Sequence, residues 1–254
     1  PYKKNRKVVL DKRSPVDQEE DKYWWEAYDD LLDFLKEQTN CSAIRSSIAE
    51  ADDVIALWTE AHKDSKNIIV STDSDFYQLI SPTVNLYNGM TNQIITINGF
   101  YDEQDKPIID KKTNLPKTAP DPEYLLFEKC IRGDSSDNVF TAFPKVRKTK
   151  IKEAFDDRHN QGFIWNNFML SKWVDHNGND MVVKQCYERN KQLVDLTQQP
   201  DEVRTNVFTE IVNAQNSKDI DQVGVRFMKF CTKYSLDRLA QNPTDHAQYL
   251  NKGY

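Results

Sequence analysis

Between residues 23 and 38 the chain reads YWWEAYDDLLDFLKEQ, and Trp24, Tyr28, Leu31, Leu32 and Leu35 recur at helical intervals. That spacing predicts an amphipathic helix. EADDVIALWTEAHK, residues 50–63, predicts a second one, with acids in its first turn, where the helix dipole favours them. Ile44 and Ile48 mark a short apolar stretch that reads as a strand, and NIIVS, residues 67–71, reads as a buried strand by its β-branched content. A helix between two strands points to a βαβ unit and a parallel sheet. TVNLYNGMTNQIITIN, residues 83–98, is expected to form a hairpin around Asn88-Gly89. Residues 1–21 read as polar and irregular, and residues 99–120, with Pro107, Pro116 and Pro120, as a loop or insertion. From Pro122 onward the periodicity is helical. The expected architecture is an α/β half over residues 1–120 and a helical half over residues 121–254.

Composition narrows the class. Of 254 residues, 38% are hydrophobic and 11% aromatic, too many for a disordered chain and enough for a sizeable core. No stretch approaches the roughly 18 apolar residues of a membrane span. Cys41, Cys130, Cys186 and Cys231 form no CxxC pair and read as reduced core cysteines of a cytoplasmic protein. The net charge of −6 argues against a generic polyanion binder, yet the cations are unevenly spread. Lys3, Lys4, Arg6, Lys7, Lys12 and Arg13 crowd the start, and Lys145, Arg147, Lys148, Lys150 and Lys152 form a second run. The chain opens at Pro1 inside the first of these runs, which reads as a piece whose natural start lies upstream.

The chemistry is concentrated in carboxylates. Glu50, Asp52 and Asp53 open a helix, Asp73 and Asp75 follow a strand, and Asp134 and Asp137 lie in the loop RGDSSDNV. Each group has an ordinary explanation as helix-terminal decoration, a turn or an N-cap. Three of them in one chain, at positions that an α/β fold could bring together, point instead to a hard divalent cation, Mg²⁺ or Mn²⁺. Two such ions stabilise the attacking and leaving oxygens of a phosphodiester. The four histidines show no ligand spacing, and Trp24-Trp25 reads as core rather than as a base-stacking platform.

EADD, STDSDFYQL and GDSSDN, in this order and spacing, resemble the 5′-nuclease family that includes flap endonucleases. YKKNRK at the start looks like the Tyr-Lys-x-x-Arg element that ends the family's helical arch, and CYERNKQLVDLTQQPDEV is similar to the C-terminal region of its phage ribonuclease H branch. The resemblance implies a Rossmann-like (PIN-like) parallel-sheet nuclease domain, followed by a helical domain with a helix-three-turn-helix-like DNA-binding element. It implies two Mg²⁺ or Mn²⁺ ions held by Glu50, Asp52, Asp53, Asp73, Asp75, Asp134 and Asp137, directly or through water, with Lys3 and Arg6 on phosphate near the scissile bond. It further implies DNA and RNA–DNA duplexes with 5′ ends or flaps as substrates, and a single-stranded DNA-binding protein of a replication system as a partner.

Two departures qualify that picture. The family has an upstream strand ending in a metal-binding Asp, which falls before Pro1, so part of the metal site is expected outside this polypeptide and some remaining carboxylates are expected to have raised pKa values through like-charge repulsion. The family's glycine-rich phosphate-gripping segment is VFTAFPKVRKTKIKEAF here, with no glycine. Duplex binding is therefore assigned to Lys145, Arg147, Lys148, Thr149 and Lys150. Competing readings are a junction-binding remnant that does not cut, and an α/β phosphatase using Asp-x-Asp as nucleophile.

Overall fold

Ser14 starts the first helix. Its side chain accepts from Asp17 N while Asp17 returns a bond to Ser14 N, a capping box with Pro15 at the first helical position. Helix α1, Pro15–Gln38, therefore begins well before the periodic apolar residues, within a stretch expected to be irregular. The computed structural model describes residues 13–215 and 218–252. They fall into two compact units, residues 55–201 and residues 13–54 with 202–252. The division lies inside helix α2, Ala51–Ala61. The strand expected around Ile44 and Ile48 is not formed: residues 42–46 carry no strand pairing, and Ser46 Oγ turns the chain by accepting from Ile48 N and Ala49 N.

In the first unit, strand β1, Asn67–Val70, leads through a 3-10 helix, Ser74–Leu79, to strand β2, Val84–Asn88. The two strands are parallel, with Ile69 opposite Leu86. The expected hairpin is present: β2 pairs antiparallel with β3, Gln93–Thr96, and β3 with β4, Gly99–Tyr101. Among the described residues the sheet is thus mixed, in the order β1-β2-β3-β4, with a single parallel pair rather than a parallel run. β4 lies within the segment expected to be a loop. Ile69, Leu86, Ile95 and Phe100 point to one face and form a core with Phe76, Ile80 and Val84. β1 is only half-buried, since Ile68 and Val70 are 63% and 72% exposed on the other face.

The same unit has a second core, built from helices. Phe127 and Ile131 of α3, Pro122–Arg132, meet Ile151, Ala154 and Phe155 of α4, Lys148–Asp156. Phe168 and Met169 of α5, Phe163–Met169, join them beside a short hairpin, β5 (Lys172–Val174) and β6 (Asp180–Val182). Val183 and Cys186 of α6, Val183–Val194, complete the cluster. A side chain buried as fully as Ile131 contributes about 1.5–3 kcal/mol. The boundary expected near residue 120 falls between these two cores, within one unit.

The second unit joins the two ends of the described chain. Phe34 of α1 stacks on Phe230 of α8, Val223–Lys233, at 4.6 Å between ring centroids. Asn40 accepts from Ile220 N and donates to Asn251 O. Helix α7, Asp201–Ala214, and those after it therefore belong, from Glu202 on, with α1 rather than with α3–α6. Trp24 and Trp25 do not fill a core. They are 57% and 53% exposed on the N-terminal half of α1, because its apolar contacts with α8 begin only at Phe34. Cys130, Cys186 and Cys231 are buried free thiols and Cys41 is half-buried. No described helix is long and apolar enough to cross a membrane.

Candidate active site

Beyond the end of β1, Asp73 and Asp75 take different roles. Asp73 is exposed and caps the 3-10 helix, its Oδ1 accepting from Asp75 N at 2.9 Å. That is the turn chemistry its neighbours suggest. Asp75 faces the helical core, and both of its oxygens accept from Lys129 Nζ, at 2.5 and 2.6 Å. Lys129 reaches it from the last turn of α3.

The same ammonium meets a second motif carboxylate. Asp134 Oδ2 lies 2.9 Å from Lys129 Nζ, while Asp134 Oδ1 accepts from Ser136 N and Ser136 Oγ. Gly133 places this loop: its φ of +75° is open to glycine, and a Cβ there would stand 2.4 Å from Val139 O. Asp134 and Val139 then exchange backbone hydrogen bonds across the turn. Asp137 is half-buried in the same loop. Two carboxylates from separate elements thus share one cation, and all three side chains are a quarter exposed or less.

Burial alone would raise the Asp134 pKa. The hydrogen bonds from Ser136 and Lys129, with the lysine charge, outweigh it and hold the carboxyl well below the usual range. Burial pulls Lys129 down, and its bonds to Asp75 and Asp134 overcome that and raise it. The carboxylate repulsion expected from sequence is therefore reversed at Asp134 by the lysine between the pair. Lys129 was not singled out by sequence, because a lone lysine in an amphipathic helix has no distinguishing pattern. Its place five residues before Asp134 is the signal that could have found it.

The first acidic group belongs to the other unit. Glu50 is exposed, Asp52 and Asp53 are half-buried, and Asp53 Oδ2 accepts from Glu50 N at 3.1 Å, so it closes the start of α2. Among the described residues no group of three or more His, Cys, Asp or Glu is placed to hold a metal ion. Asp75 and Asp134 still fit such an ion in part. They already converge on one positive charge, and an all-oxygen donor set suits a hard divalent cation.

Lys145, Arg147, Lys148, Thr149 and Lys150 are all exposed at the start of α4. Arg147 is the N-cap residue, no side chain caps the helix, and its first turn contains no acid. Lys148 lies 3.5 Å from Glu128, and Lys150 Nζ sits 5.2 Å from the Phe143 ring centre. Lys3 and Arg6 lie outside the described residues.

Solved bacteriophage T5 structures share this fold. A bacteriophage T5 protein co-crystallised with metal ions matches with a TM-score of 0.57 at 19% identity, covering 84% of this chain and 78% of that one. A T5 flap endonuclease complex with DNA and metal ions matches at 0.55, also 19% identical, covering 84% and 76%. These likenesses define the fold. Residues 1–106 match the family described as 5′-3′ exonuclease, N-terminal resolvase-like domain. A 5′-3′ exonuclease of Mycoplasmopsis pulmonis (strain UAB CTIP) is 32% identical over 124 residues, 47% of this chain and 36% of that protein. DNA polymerase I of Rhizobium leguminosarum is 33% identical over 102 residues, 39% of this chain and 9% of the polymerase. Flap endonuclease Xni of Shewanella loihica (strain ATCC BAA-1088 / PV-4) is 49% identical over 53 residues, 20% of this chain and 21% of that one. The chain spans well under half the length of each of these relatives.

Proposed function

We propose that the protein is a metal-dependent 5′→3′ exonuclease and flap endonuclease, acting on DNA or RNA–DNA and removing primers or flaps in replication. The observation that carries this reading is the convergence of Asp75 and Asp134, from different elements, on a single cation position. The family of residues 1–106 supports it. Asp75 and Asp134 would be direct metal ligands. Asp73 and Asp137 would complete the coordination of Mg²⁺ or Mn²⁺, directly or through water. Divalent ions bound there would stabilise charge on the attacking and leaving oxygens of the phosphodiester.

The remaining roles belong to cationic side chains. Lys3 and Arg6 would hold the phosphate next to the scissile bond. Lys145, Arg147, Lys148 and Lys150, with Thr149, would grip duplex phosphates at an uncapped helix start, where backbone amides favour anions. Such contacts orient the duplex without reading its sequence.

A second reading, a structure-specific DNA-binding protein that does not cut, is favoured by one observation: Lys129 fills the position between the two carboxylates. Incubating the chain with a labelled 5′-flap substrate in Mg²⁺, and in parallel in EDTA, separates the two. Metal-dependent release of the flap supports the nuclease. Tight binding without cleavage supports the alternative.

A further inference from the structure

The end of helix α6 touches both carboxylate-bearing loops. Asn190 is fully buried, and its Nδ2 donates to Cys130 O at 2.8 Å and Phe140 O at 2.7 Å. Cys130 lies near the end of α3, where carbonyls outrun the intrahelical donors. Phe140 follows the loop that holds Asp134 and Asp137. Asn190 Oδ1 accepts from the Arg189 guanidinium, at 2.9 Å from Nη2, which fixes the orientation of the amide. A few residues on, the main chain holds the other loop. Gln78 Nε2 donates to Val194 O at 3.0 Å, and Leu196 N donates to Gln78 Oε1 at 3.3 Å. Gln78 is on the 3-10 helix that carries Asp75. Between these two attachments, Val194 packs with Cys130 and Val139.

We infer that Asn190 and Gln78 are positioning residues: tied to one stretch, residues 190–196, they set the span across which Asp75 and Asp134 share a cation. Their own side chains are neutral and touch neither carboxylate. Lys129 draws the two loops together by charge, and the strut fixes the separation at which that pull stops. The strut rests on hydrogen-bond geometry alone; that the shared cation can be a divalent metal rests on the proposed function.

Two near-isosteric variants of the full chain test this. Asn190→Asp replaces a donor to two carbonyls with an acceptor, and Gln78→Met keeps the length of the side chain without its polar atoms. Hydrogen exchange followed by mass spectrometry is expected to speed up roughly tenfold over residues 131–141 in the first variant and over residues 71–80 in the second, as befits a lost buried hydrogen bond. Strands β2 and β3 are expected to stay unchanged. In the same samples, the midpoint of a Mn²⁺ titration is expected to rise severalfold for both variants. Uniform acceleration across the chain, or none, would overturn the strut. Localised acceleration with an unmoved Mn²⁺ midpoint would overturn the positioning role. If the unaltered chain bound no Mn²⁺, the functional reading would fail, and the local exchange pattern would still decide the strut.

Discussion

The acidic pair and the basic run at the start of α4 belong to one unit and carry opposite charge, yet they are built in opposite ways. Asp75 and Asp134 are largely covered, share Lys129, and stand on loops strapped from behind by neutral amides. Lys145, Arg147, Lys148 and Lys150 project into solvent from a helix start with no capping side chain. On the proposed function, the difference follows from what each would contact. A metal site tolerates errors of a few tenths of an ångström, so its ligands need rigid support. A phosphate backbone is reached by long side chains through charge, and mobility costs such contacts little.

If that contrast holds, the largest losses come from the covered region. Asp75→Asn and Asp134→Asn are each expected to lower Mg²⁺-dependent flap cleavage by more than about a hundredfold, several kcal/mol of transition-state stabilisation. DNA binding should persist or strengthen, because a negative charge facing phosphate is gone. Near-normal cutting by either variant would remove that carboxylate from the mechanism.

Gly133→Ala comes next. Its φ of +75° and the approach of Val139 O leave no room for a Cβ, so the loop carrying Asp134 must shift. The expected cost is about 1–3 kcal/mol in thermal or denaturant unfolding, together with lost cleavage. Full stability in the alanine variant would show that the loop is less constrained than its contacts indicate.

Lys129→Met asks whether ammonium and metal compete for one place. Without the lysine, Asp75 and Asp134 lose their shared cation. Folding should then become more dependent on Mg²⁺, seen as a larger rise in Tm on adding the ion than in the unaltered chain. An equal rise in both would separate the metal position from Lys129.

The exposed region should respond weakly and uniformly. Lys148→Ala with Lys150→Ala is expected to reduce the salt slope of duplex binding by about two, similarly across sequences. An unchanged slope would make this helix start an ordinary solvated surface.

Acid titration sharpens the same contrast. Asp134 has a folded pKa below its unfolded value, so its contribution to stability is present above the unfolded pKa, near 4, and is lost as pH falls from there through the folded pKa. Lys129 is shifted upward, so its contribution holds below its unfolded pKa, near 10.4, and is lost only as pH rises beyond that. Asp134→Asn should therefore lower stability at neutral pH and flatten the further loss below about pH 4.

Much of this was legible in the chain itself. The hairpin at Asn88-Gly89 followed from turn chemistry and the helix at Pro122 from periodicity, and both are present. Ordered acidic motifs pointed to the family. Other features depend on tertiary contacts that no local pattern encodes. NIIV reads as buried, but only Ile69 faces the core, because β1 pairs with β2 alone among the described residues. Ile44 and Ile48 suggested a strand, but Ser46 turns the chain there. The capping box at Ser14 was readable as Ser-x-x-Asp and extends α1 through polar sequence. Asn190 and Lys129 had no signal beyond their spacing to the motifs.

On the proposed function, Asp75 and Asp134 form the core of a divalent-metal position. Electron paramagnetic resonance of Mn²⁺ tests it most directly, as the bound fraction in titrations of the unaltered chain, Asp75→Asn and Asp134→Asn. Binding by the unaltered chain that is strongly weakened in both variants is the expected result. Equal Mn²⁺ binding by all three proteins would place the metal away from Asp75 and Asp134.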